Sequence, residues 1–310
     1  MDAQAVILHR PGEISLDALT LDAPTPADAV VAIRWSGIST GTERLLWSGR
    51  MPDFPGMGYP LVPGYESVGE VVEAGAESGL RAGQTVFVPG ARCFGPVRGL
   101  FGGAASHLVS AGARLVPIDP DMAERGTLIA LAATAHHALA GLDLTQPLLV
   151  VGHGVLGRLV ARIACALGGT PEVWETDPAR REAEGYTVRA PLDEVRGAYV
   201  TILDVSGDAT ILDTAIRHLR PGGEVVLAGF YEARLAFDFA PAFLREARIR
   251  VAAQWRSEDL AATLALIATD HLSLDGLITH RRPAGHAAHA YRTAFGDAGC
   301  LKMILDWSAA

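Results

Sequence analysis

The sequence contains little cysteine and little charge, and each shortage excludes a class of protein. The three cysteines in 310 residues, Cys93, Cys165 and Cys300, lie far apart at spacings that match no metal-ligand motif. This pattern is typical of a reducing compartment, so we expect neither a disulfide framework nor a zinc knuckle. Charged residues make up 20% of the chain and hydrophobic residues 49%, which is enough apolar material for a sizeable core.

Basic runs and long apolar segments are also lacking. The net charge of −9 argues against nucleic acid as a partner, because phosphate binding needs a basic patch. The longest apolar stretch, 127–142, contains two histidines and is shorter than the roughly 18 residues of a membrane-spanning helix. The first residues lack the features of a signal peptide. We therefore expect a cytoplasmic protein without an integral membrane segment.

Two regions of different character follow one another along the chain. Up to about residue 120, short β-branched runs alternate with glycine, proline and aspartate, which predicts β structure. A helix is predicted over 121–142, and strand-like runs then alternate with helical ones. Such alternation is typical of a parallel sheet flanked by helices.

A glycine-rich loop, GHGVLG, lies between an apolar strand-like run and an amphipathic helix. In a dinucleotide-binding unit, Gly152 permits the tight turn, Gly154 lets a pyrophosphate approach the backbone, and Gly157 lets the helix pack on the strand. The N-terminus of the helix then offers free N–H groups to the phosphates. The residues of the loop expected to bind the cofactor are Gly152, Gly154, Val155, Leu156 and Gly157.

The second strand of this unit ends in acidic residues. An acid about 20 residues after the glycine loop is expected to bind the ribose hydroxyls, and Glu175 and Asp177 lie in that window. Either carboxylate would repel a 2′-phosphate, which favours NAD. Arg180 and Arg181 would accommodate that phosphate, so NADP stays open as the alternative.

Three segments carry a resemblance to a known superfamily. SGISTGTE at 36–43 is similar to a G-I-C-G-S-D segment, and PGYESVGEVVEAG at 63–75 to a G-H-E-x-x-G-x-V-x-x-x-G signature. LRPGGEVVLAGF at 219–230 resembles a late strand that contacts the nicotinamide half of the cofactor, which implies that Gly229 and Phe230 bind it. With these segments the chain resembles the medium-chain dehydrogenase/reductase superfamily.

This resemblance implies an α/β protein of two domains. A GroES-like β-rich catalytic domain is expected at 1–120 and 266–310, and a doubly wound parallel-sheet (Rossmann) cofactor domain at 121–265. Members of the superfamily form dimers through their cofactor domains, so a homodimer is a further expectation.

The metal-binding places of the zinc alcohol dehydrogenases in that superfamily are altered. Ser39 and Tyr65 stand where a cysteine and a histidine bind the catalytic metal, and Ala130 stands at the third place. Of the usual set Glu66 is retained, and we expect it to pair with a charged partner. Zinc prefers thiolate, imidazole or carboxylate ligands, and the four-cysteine structural lobe is missing too. We therefore expect no metal.

Longer segments are similar to one subfamily, the dehydrogenases of bacteriochlorophyll biosynthesis. These segments are 36–75, VFVPGARCFG, GLFGGAASHLV, ALAATAHHAL, VWETDPARR and CLKMILDW. The resemblance implies NAD(P)-dependent oxidation of the 3-(1-hydroxyethyl) group of a bacteriochlorophyllide, a tetrapyrrole, to acetyl. A zinc-free quinone or enoyl reductase, and a non-catalytic dinucleotide-binding redox sensor, are the alternatives.

Without a metal, side chains must hold the alcohol and accept its proton. Tyr65 is the first candidate for hydroxyl binding or proton relay, although a free phenol has a pKa of about 10. Ser39 would hydrogen-bond the same oxygen. His136 or His137 would carry the proton to solvent, and one of these adjacent histidines is expected to point away from the site. For all four residues a packing role stays open, and His153 is expected to be a solvent-facing or phosphate-side residue.

The segment 44–61 is rich in aromatic residues and methionine, and we interpret it as a loop that covers the substrate. The residues expected to bind the macrocycle are Trp47, Met51, Phe54, Met57 and Phe101. Phe94 and Leu100 would join Phe101 in a second wall, and a ring propionate would meet Arg50, Arg92 or Arg98. Internal packing of the β-rich domain is the alternative for these residues.

Overall fold

The computed structural model describes residues 1–53, 55–191 and 199–308. The chain folds into two compact units. Unit 1 comprises Met1–Ala130 and Asp275–Ala310, and unit 2 comprises Leu131–Leu274. The boundaries expected from the sequence stay predictions for the limits of the folding domains.

Short strands dominate the described residues. They are β1 Asp2–Arg10, β2 Glu13–Thr20, β3 Asp28–Ile38, β4 Leu61–Val62, β5 Ser67–Ala74, β6 Thr85–Val88, β7 Arg98–Gly99, β8 His107–Ala111, β9 Val116–Pro117, β10 Leu148–Val151, β11 Glu172–Trp174, β12 Thr187–Arg189, β13 Tyr199–Asp204, β14 Leu219–Leu227, β15 Arg248–Val251, β16 His280–Pro283 and β17 Met303–Asp306. The helices are α1 Thr42–Ser48, α2 Ile129–Leu139, α3 Val155–Ala166, α4 Ile211–His218, α5 Phe239–Leu244, α6 Ser257–Ala268 and α7 Ala287–Gly296.

Unit 1 contains two sheets in the part of the chain that the structure describes. One has the order β2-β1-β4-β7, and the other has the order β16-β17-β3-β5-β6-β9 with β8 also paired to β3. Most neighbours are antiparallel, as expected for strands joined by short turns. Strand β17 comes from the end of the chain and pairs with β3, so residues near 302 lie beside residues near 38.

Unit 2 is built on a parallel sheet. Its described strands have the order β12-β11-β10-β13-β14-β15, with parallel pairing throughout. This is the order 3-2-1-4-5-6 of the doubly wound dinucleotide-binding fold, which binds ligands at the carboxyl ends of the strands where the order reverses. Helix α3 packs against β10 and β11, and α4 packs against β13 and β14. The expected α/β fold class is confirmed.

Two elements differ from the expectations. Residues 44–48 are helical, because α1 begins at Thr42, buries Leu45 and Leu46, and ends where Gly49 adopts a φ of 70°. The helix expected over 121–142 is a 3-10 segment, Pro120–Leu128, that leads into α2. Helix α4 ends at His218, and the LRPGG segment after it belongs to β14, in line with the late strand expected at 219–230. Among the described residues, no helix is both long and apolar enough to cross a lipid bilayer.

Candidate functional site

The glycine loop lies at the carboxyl end of β10 and leads directly into α3. Gly152 has a φ of 99°, which side chains rarely tolerate, and Gly154 is the N-cap residue of α3. A Cβ atom on Gly157 would lie 1.9 Å from the carbonyl oxygen of Gly152, so the helix approaches the loop as closely as glycine permits. Ser206 lies beside Gly152 and follows β13, which places the loop where the strand order reverses. The loop and the helix N-terminus fit a pyrophosphate.

Glu175 directly follows β11 and contacts the glycine loop. Its Oε2 accepts a hydrogen bond from the backbone N–H of His153 at 3.0 Å, and its Oε1 accepts one from Asp177 N–H at 2.9 Å. The carboxylate therefore lies beside the phosphate loop, where a ribose hydroxyl would meet it.

The neighbouring charged side chains are held by local contacts. The carboxylate of Asp177 accepts a hydrogen bond from Ala179 N–H at 3.0 Å and lies 3.8 Å from Arg180 Nε. The guanidinium of Arg181 donates to the carbonyl of Glu175 at 2.8 Å and to a second carbonyl at 2.7 Å. Of the two candidate acids, Glu175 is the one that contacts the glycine loop.

The side chain of His153 is fully buried, so its interpretation as a solvent-facing residue is wrong. Nδ1 lies 2.6 Å from the carbonyl oxygen of Arg180, and Nε2 lies 2.9 Å from the Tyr186 hydroxyl. Because a carbonyl only accepts, Nδ1 donates, and Nε2 of the neutral ring accepts from Tyr186. Burial lowers the pKa of His153, which keeps the ring neutral. The histidine thus ties the glycine loop to the segment after β11.

The other predicted cofactor residues follow β14. Gly229 N–H donates to the carbonyl of Asp204 at 3.0 Å, and Phe230 is half-exposed. Tyr231 donates its hydroxyl to the Asp204 carboxylate, so the turn after β14 is held to the end of β13.

In unit 1 the structure brings Ser39 and Tyr65 together. The Ser39 Oγ and the Tyr65 hydroxyl oxygen are 2.9 Å apart, and the Tyr65 ring packs edge-on against Phe101 with 5.4 Å between centroids. Burial, and next the nearby Glu66 carboxylate, raise the pKa of Tyr65 well above its usual range. Tyr65 therefore stays protonated near neutral pH and acts as a hydrogen-bonding hydroxyl rather than as a phenolate.

Glu66 forms a buried ion pair with Lys302, the only lysine in the sequence. Both side chains are almost inaccessible to solvent, and Lys302 Nζ also donates to the carbonyl of Ile38 at 3.3 Å. Burial raises the pKa of Glu66, and the Lys302 ammonium opposes that effect. Glu66 Oε1 has no hydrogen-bond partner among the described residues. The expectation of a charged partner for Glu66 is confirmed.

Sequence reasoning missed a second buried acidic residue of unit 1, Glu43, in the first turn of α1. Its side chain is 1% exposed; Oε1 accepts from Ser39 N–H at 3.0 Å, and Oε2 accepts from the Tyr291 hydroxyl at 2.6 Å. Burial raises the pKa of Glu43 to about 7. The SGISTGTE segment contained this residue, but an acid in a first helical turn is ordinarily exposed, and Tyr291 is distant in the chain.

His136 and His137 lie in the last turn of α2 and share one acid of unit 2. Their Nδ1 atoms lie 3.0 and 2.8 Å from Oδ1 and Oδ2 of Asp259, respectively. Each ring reaches a different oxygen of the same carboxylate, and the expectation that one histidine points away from the site stays a prediction. Asp259 also accepts a hydrogen bond from Arg256 N–H at 3.0 Å at the start of α6.

The predicted macrocycle contacts are partly exposed and form one apolar group in unit 1. Trp47, Met51, Met57 and Phe101 pack against a buried cluster of Leu8, Leu46, Leu61 and Leu100; Phe54 lies outside the described residues.

Two of the expected wall residues do not line a surface. Phe94 and Leu100 are each 3% exposed, so their assignment to a wall is wrong, because both belong to the core. Arg50, Arg92 and Arg98 are exposed, and Arg98 donates to the carbonyl of Tyr59 at 3.4 Å.

The zinc-binding places carry an unsuitable donor set. Ser39 and Tyr65 are hydrogen-bonded to each other, Glu66 is bound by an ammonium group, and Ala130 has a methyl side chain. Among the described residues, no three His, Cys, Asp or Glu side chains are grouped so that they could hold a metal ion.

Comparisons with known proteins extend this description. Residues 25–120 match the model of the alcohol dehydrogenase GroES-like domain. The 2-desacetyl-2-hydroxyethyl bacteriochlorophyllide A dehydrogenase of Cereibacter sphaeroides is 56% identical over 100% of this chain and 99% of its own length. The protein of the same name from Rhodobacter capsulatus is 56% identical over 100% of both chains. The chain belongs to the bacteriochlorophyllide dehydrogenase family.

A solved structure shares the fold of this chain. A short-chain alcohol dehydrogenase from E. coli CFT073, crystallised as a complex with NADH, has a TM-score of 0.85 over 99% of both chains at 18% identity. At that identity the likeness shows the fold. In this chain the parallel sheet of unit 2 carries the glycine loop and Glu175.

Proposed function

We propose that this protein oxidises the hydroxyethyl side chain of a bacteriochlorophyllide to an acetyl group, with NAD as the hydride acceptor and without zinc. The observation that carries the proposal is the 56% identity over full length to two proteins that bear the name of this activity. In the reaction a secondary alcohol and NAD⁺ give a ketone, NADH and one proton. NAD supplies the hydride acceptor; the remaining tasks fall to residues of the chain.

NAD is favoured over NADP by Glu175. Its carboxylate lies beside the glycine loop, where it would accept hydrogen bonds from the ribose hydroxyls and repel a 2′-phosphate. Arg181 is held by two backbone carbonyls, which argues against its use as a phosphate ligand. Within the loop the proposed cofactor ligands are Gly152, Gly154, Val155, Leu156 and Gly157. Outside it they are Gly229 and Phe230, with Asp177 as the weaker of the two acids.

Tyr65 and Ser39 bind the substrate hydroxyl in place of a metal. Their hydroxyl groups lie 2.9 Å apart and both can donate and accept, so together they would orient the alcohol oxygen. Because the pKa of Tyr65 is raised, it holds that oxygen rather than removing its proton. The conjugated ring of the substrate shares the positive charge that develops as hydride leaves, which lowers the need for the alkoxide stabilisation that zinc provides in other enzymes.

His136 and His137 carry the alcohol proton toward solvent. The Asp259 carboxylate lies at hydrogen-bond distance from both Nδ1 atoms. A carboxylate only accepts, so the Nδ1 atoms carry protons and each neutral ring offers Nε2 as its basic atom. This arrangement supports the histidines as proton carriers.

The macrocycle is contacted by Trp47, Met51, Met57 and Phe101, together with Phe54. The four described side chains are half-buried on a core of leucines, which leaves part of each apolar surface available to a flat ring. The tetrapyrrole is thus a small-molecule partner of unit 1.

A homodimer forms through β15, the edge strand of the parallel sheet. Val251 on this strand is 74% exposed, and Phe239 and Phe243 of the neighbouring helix α5 are 73% and 66% exposed. An apolar edge strand favours pairing with another strand. Val251→Asp should convert the dimer to a monomer in sedimentation equilibrium, and a monomeric parent protein would contradict this proposal. We place the protein in the cytoplasm, consistent with cysteines that form no disulfide among the described residues.

The decisive experiment is NAD-dependent conversion of a hydroxyethyl bacteriochlorophyllide, followed by its absorption shift and by NADH fluorescence. Turnover should persist after treatment with a chelator, and Tyr65→Phe should lower kcat by about tenfold because one hydroxyl contact is lost. Loss of activity on metal removal, restored by zinc, would refute the metal-free mechanism. Cofactor binding without turnover of the pigment would refute the proposed activity and favour a redox sensor, and turnover of a quinone instead would favour a reductase.

A further inference from the structure

We propose that Glu43 is a positioning residue for Ser39 and Tyr65, the two residues whose hydroxyl groups would bind the alcohol. Glu43 holds Ser39 in place, and through Ser39 it holds the hydroxyl of Tyr65. The inference rests on the proposed function, in which Ser39 and Tyr65 bind the substrate hydroxyl. Among the described residues, the Glu43 carboxylate accepts hydrogen bonds from Ser39 N–H and from the Tyr291 hydroxyl, so it acts on the backbone of Ser39.

Ser39 and Glu43 are joined by two reciprocal hydrogen bonds. Ser39 N–H donates to Glu43 Oε1 at 3.0 Å, and Glu43 N–H donates to the Ser39 carbonyl at 3.2 Å. The pair closes the turn between the end of β3 and the start of α1. Because the backbone of Ser39 is fixed on both sides, its Oγ is held at 2.9 Å from the Tyr65 hydroxyl.

The Glu43 carboxylate is itself fixed from a distant part of the chain. Tyr291 of α7 donates its hydroxyl to Oε2 at 2.6 Å. The Tyr291 ring packs against Trp47 and Phe295, with centroids 6.3 and 5.7 Å away, so the hydroxyl has little freedom to move. Burial of a carboxylate without hydrogen-bond donors costs unfolding free energy. Tyr291 supplies such a donor and fixes the orientation of the Glu43 carboxylate toward Ser39.

The hydrogen bond from Ser39 N–H to Glu43 Oε1 persists when Glu43 is protonated. A backbone N–H only donates, so Oε1 remains an acceptor in both charge states, and a bound proton lies on Oε2 toward Tyr291. The charged groups that face Glu43 are Glu66 and Lys302, which act on it electrostatically. A glutamine side chain can reproduce the protonated arrangement, with its carbonyl toward Ser39 and its amide toward Tyr291.

This equivalence allows a matched set of variants. Glu43→Leu removes both contacts at similar volume, Glu43→Gln keeps both, and Tyr291→Phe removes the support but leaves the Ser39 contact possible. Phe295→Leu alters packing around Tyr291 without touching a hydrogen bond and serves as the control. Each variant is measured for kcat, for KM of NAD, and for hydrogen exchange at the backbone amide of Ser39.

We expect Glu43→Leu to lower kcat by about tenfold to a hundredfold, since misplacement of a binding group by an ångström has effects of this size. KM for NAD should change by less than about twofold, because the cofactor ligands are untouched. Amide protection at Ser39 should be lost in Glu43→Leu and retained in Glu43→Gln, whose kcat should stay within about threefold of the parent. Tyr291→Phe should fall between these two, and Phe295→Leu, which keeps the hydrogen bond of Tyr291, should lower kcat less than Tyr291→Phe does.

Two results would overturn the inference: unchanged amide protection at Ser39 in Glu43→Leu, or a kcat loss in Glu43→Gln as large as in Glu43→Leu. The exchange measurement needs no substrate. An inactive parent protein would therefore refute the proposed function, while the exchange data would still decide whether Glu43 holds Ser39.

Discussion

The two units place their functional groups by different means. In unit 2 the cofactor loop consists of backbone atoms from six consecutive residues, and Glu175 reaches it from the next strand along the chain. In unit 1 the groups around Tyr65 are side chains from remote segments: Glu66 pairs with a lysine 236 residues away, and Glu43 with a tyrosine 248 residues away. The proposed cofactor loop therefore depends on local geometry, whereas the proposed alcohol-binding groups depend on the assembly of unit 1.

The largest effect is expected from Lys302→Met, which tests whether unit 1 depends on its buried charges. An unpaired buried carboxylate costs about 3–5 kcal/mol of unfolding free energy, so Glu66 alone should destabilise the protein by that amount in urea denaturation. The double variant Glu66→Gln with Lys302→Met removes both charges and should recover part of the loss. Arg34→Met, which breaks the exposed pair with Glu70, is the control and should change stability by less than about 1 kcal/mol. If Lys302→Met and the double variant lose equal amounts of unfolding free energy, the ion-pair explanation is contradicted.

The next effect concerns the pH dependence of stability. Burial raises the pKa of Glu43 from 4.5 to about 7, so between these values the folded protein holds a proton that the unfolded chain releases. Stability from this group is therefore fully present below pH 4.5 and is lost as pH rises toward 7. The loss should be on the order of 3 kcal/mol.

Denaturation of the parent and of Glu43→Gln at several pH values between 4.5 and 7.5 measures this difference. The variant cannot ionise at position 43, so its stability should decline less steeply over the window. Parallel curves for the two proteins would show that the Glu43 proton does not contribute.

In unit 2, Gly157→Ala tests the local geometry of the loop. The new Cβ would lie 1.9 Å from a backbone carbonyl, so the loop or helix must shift, and NAD affinity should fall by about a hundredfold, or ~2.7 kcal/mol. Gly285→Ala, where a Cβ meets open space, is the matched control and should bind NAD like the parent. Calorimetric titration with NAD measures both variants, and unchanged affinity in Gly157→Ala would show that the loop adapts.

The smallest effect separates the two candidate acids of the ribose site. Glu175→Gln should weaken NAD binding by about tenfold and raise the ratio of NADP to NAD affinity, because the repelling charge is removed. Asp177→Asn should change NAD affinity by less than about threefold, because the Asp177 carboxylate accepts a hydrogen bond from Ala179 N–H within its own turn. If Asp177→Asn has the larger effect, the assignment of the ribose acid to Glu175 is wrong.

The sequence predicted the fold class well because its signals are local. A β-branched run before GHGVLG and an amphipathic helix after it occur within one short stretch, and the parallel sheet followed from their repetition. Prediction failed where a side chain found its partner through the fold. Sequence reasoning did not anticipate that Asp259 of α6 would contact both His136 and His137. It also did not anticipate that His153 would be buried beside Tyr186. Residues 44–48 are helical since two buried leucines anchor them.

By itself the sequence determined the glycine loop, the alternation that builds a parallel sheet, and the hydroxyl side chains at positions 39 and 65. Those features follow from residue type and short spacing, which act on the backbone nearby. The tertiary structure alone decided which acids are buried and what compensates them: Lys302 for Glu66, and Tyr291 for Glu43. A buried charge needs a partner within a few ångströms, and in unit 1 only the folded sheets and helix α7 bring that partner from the far end of the chain.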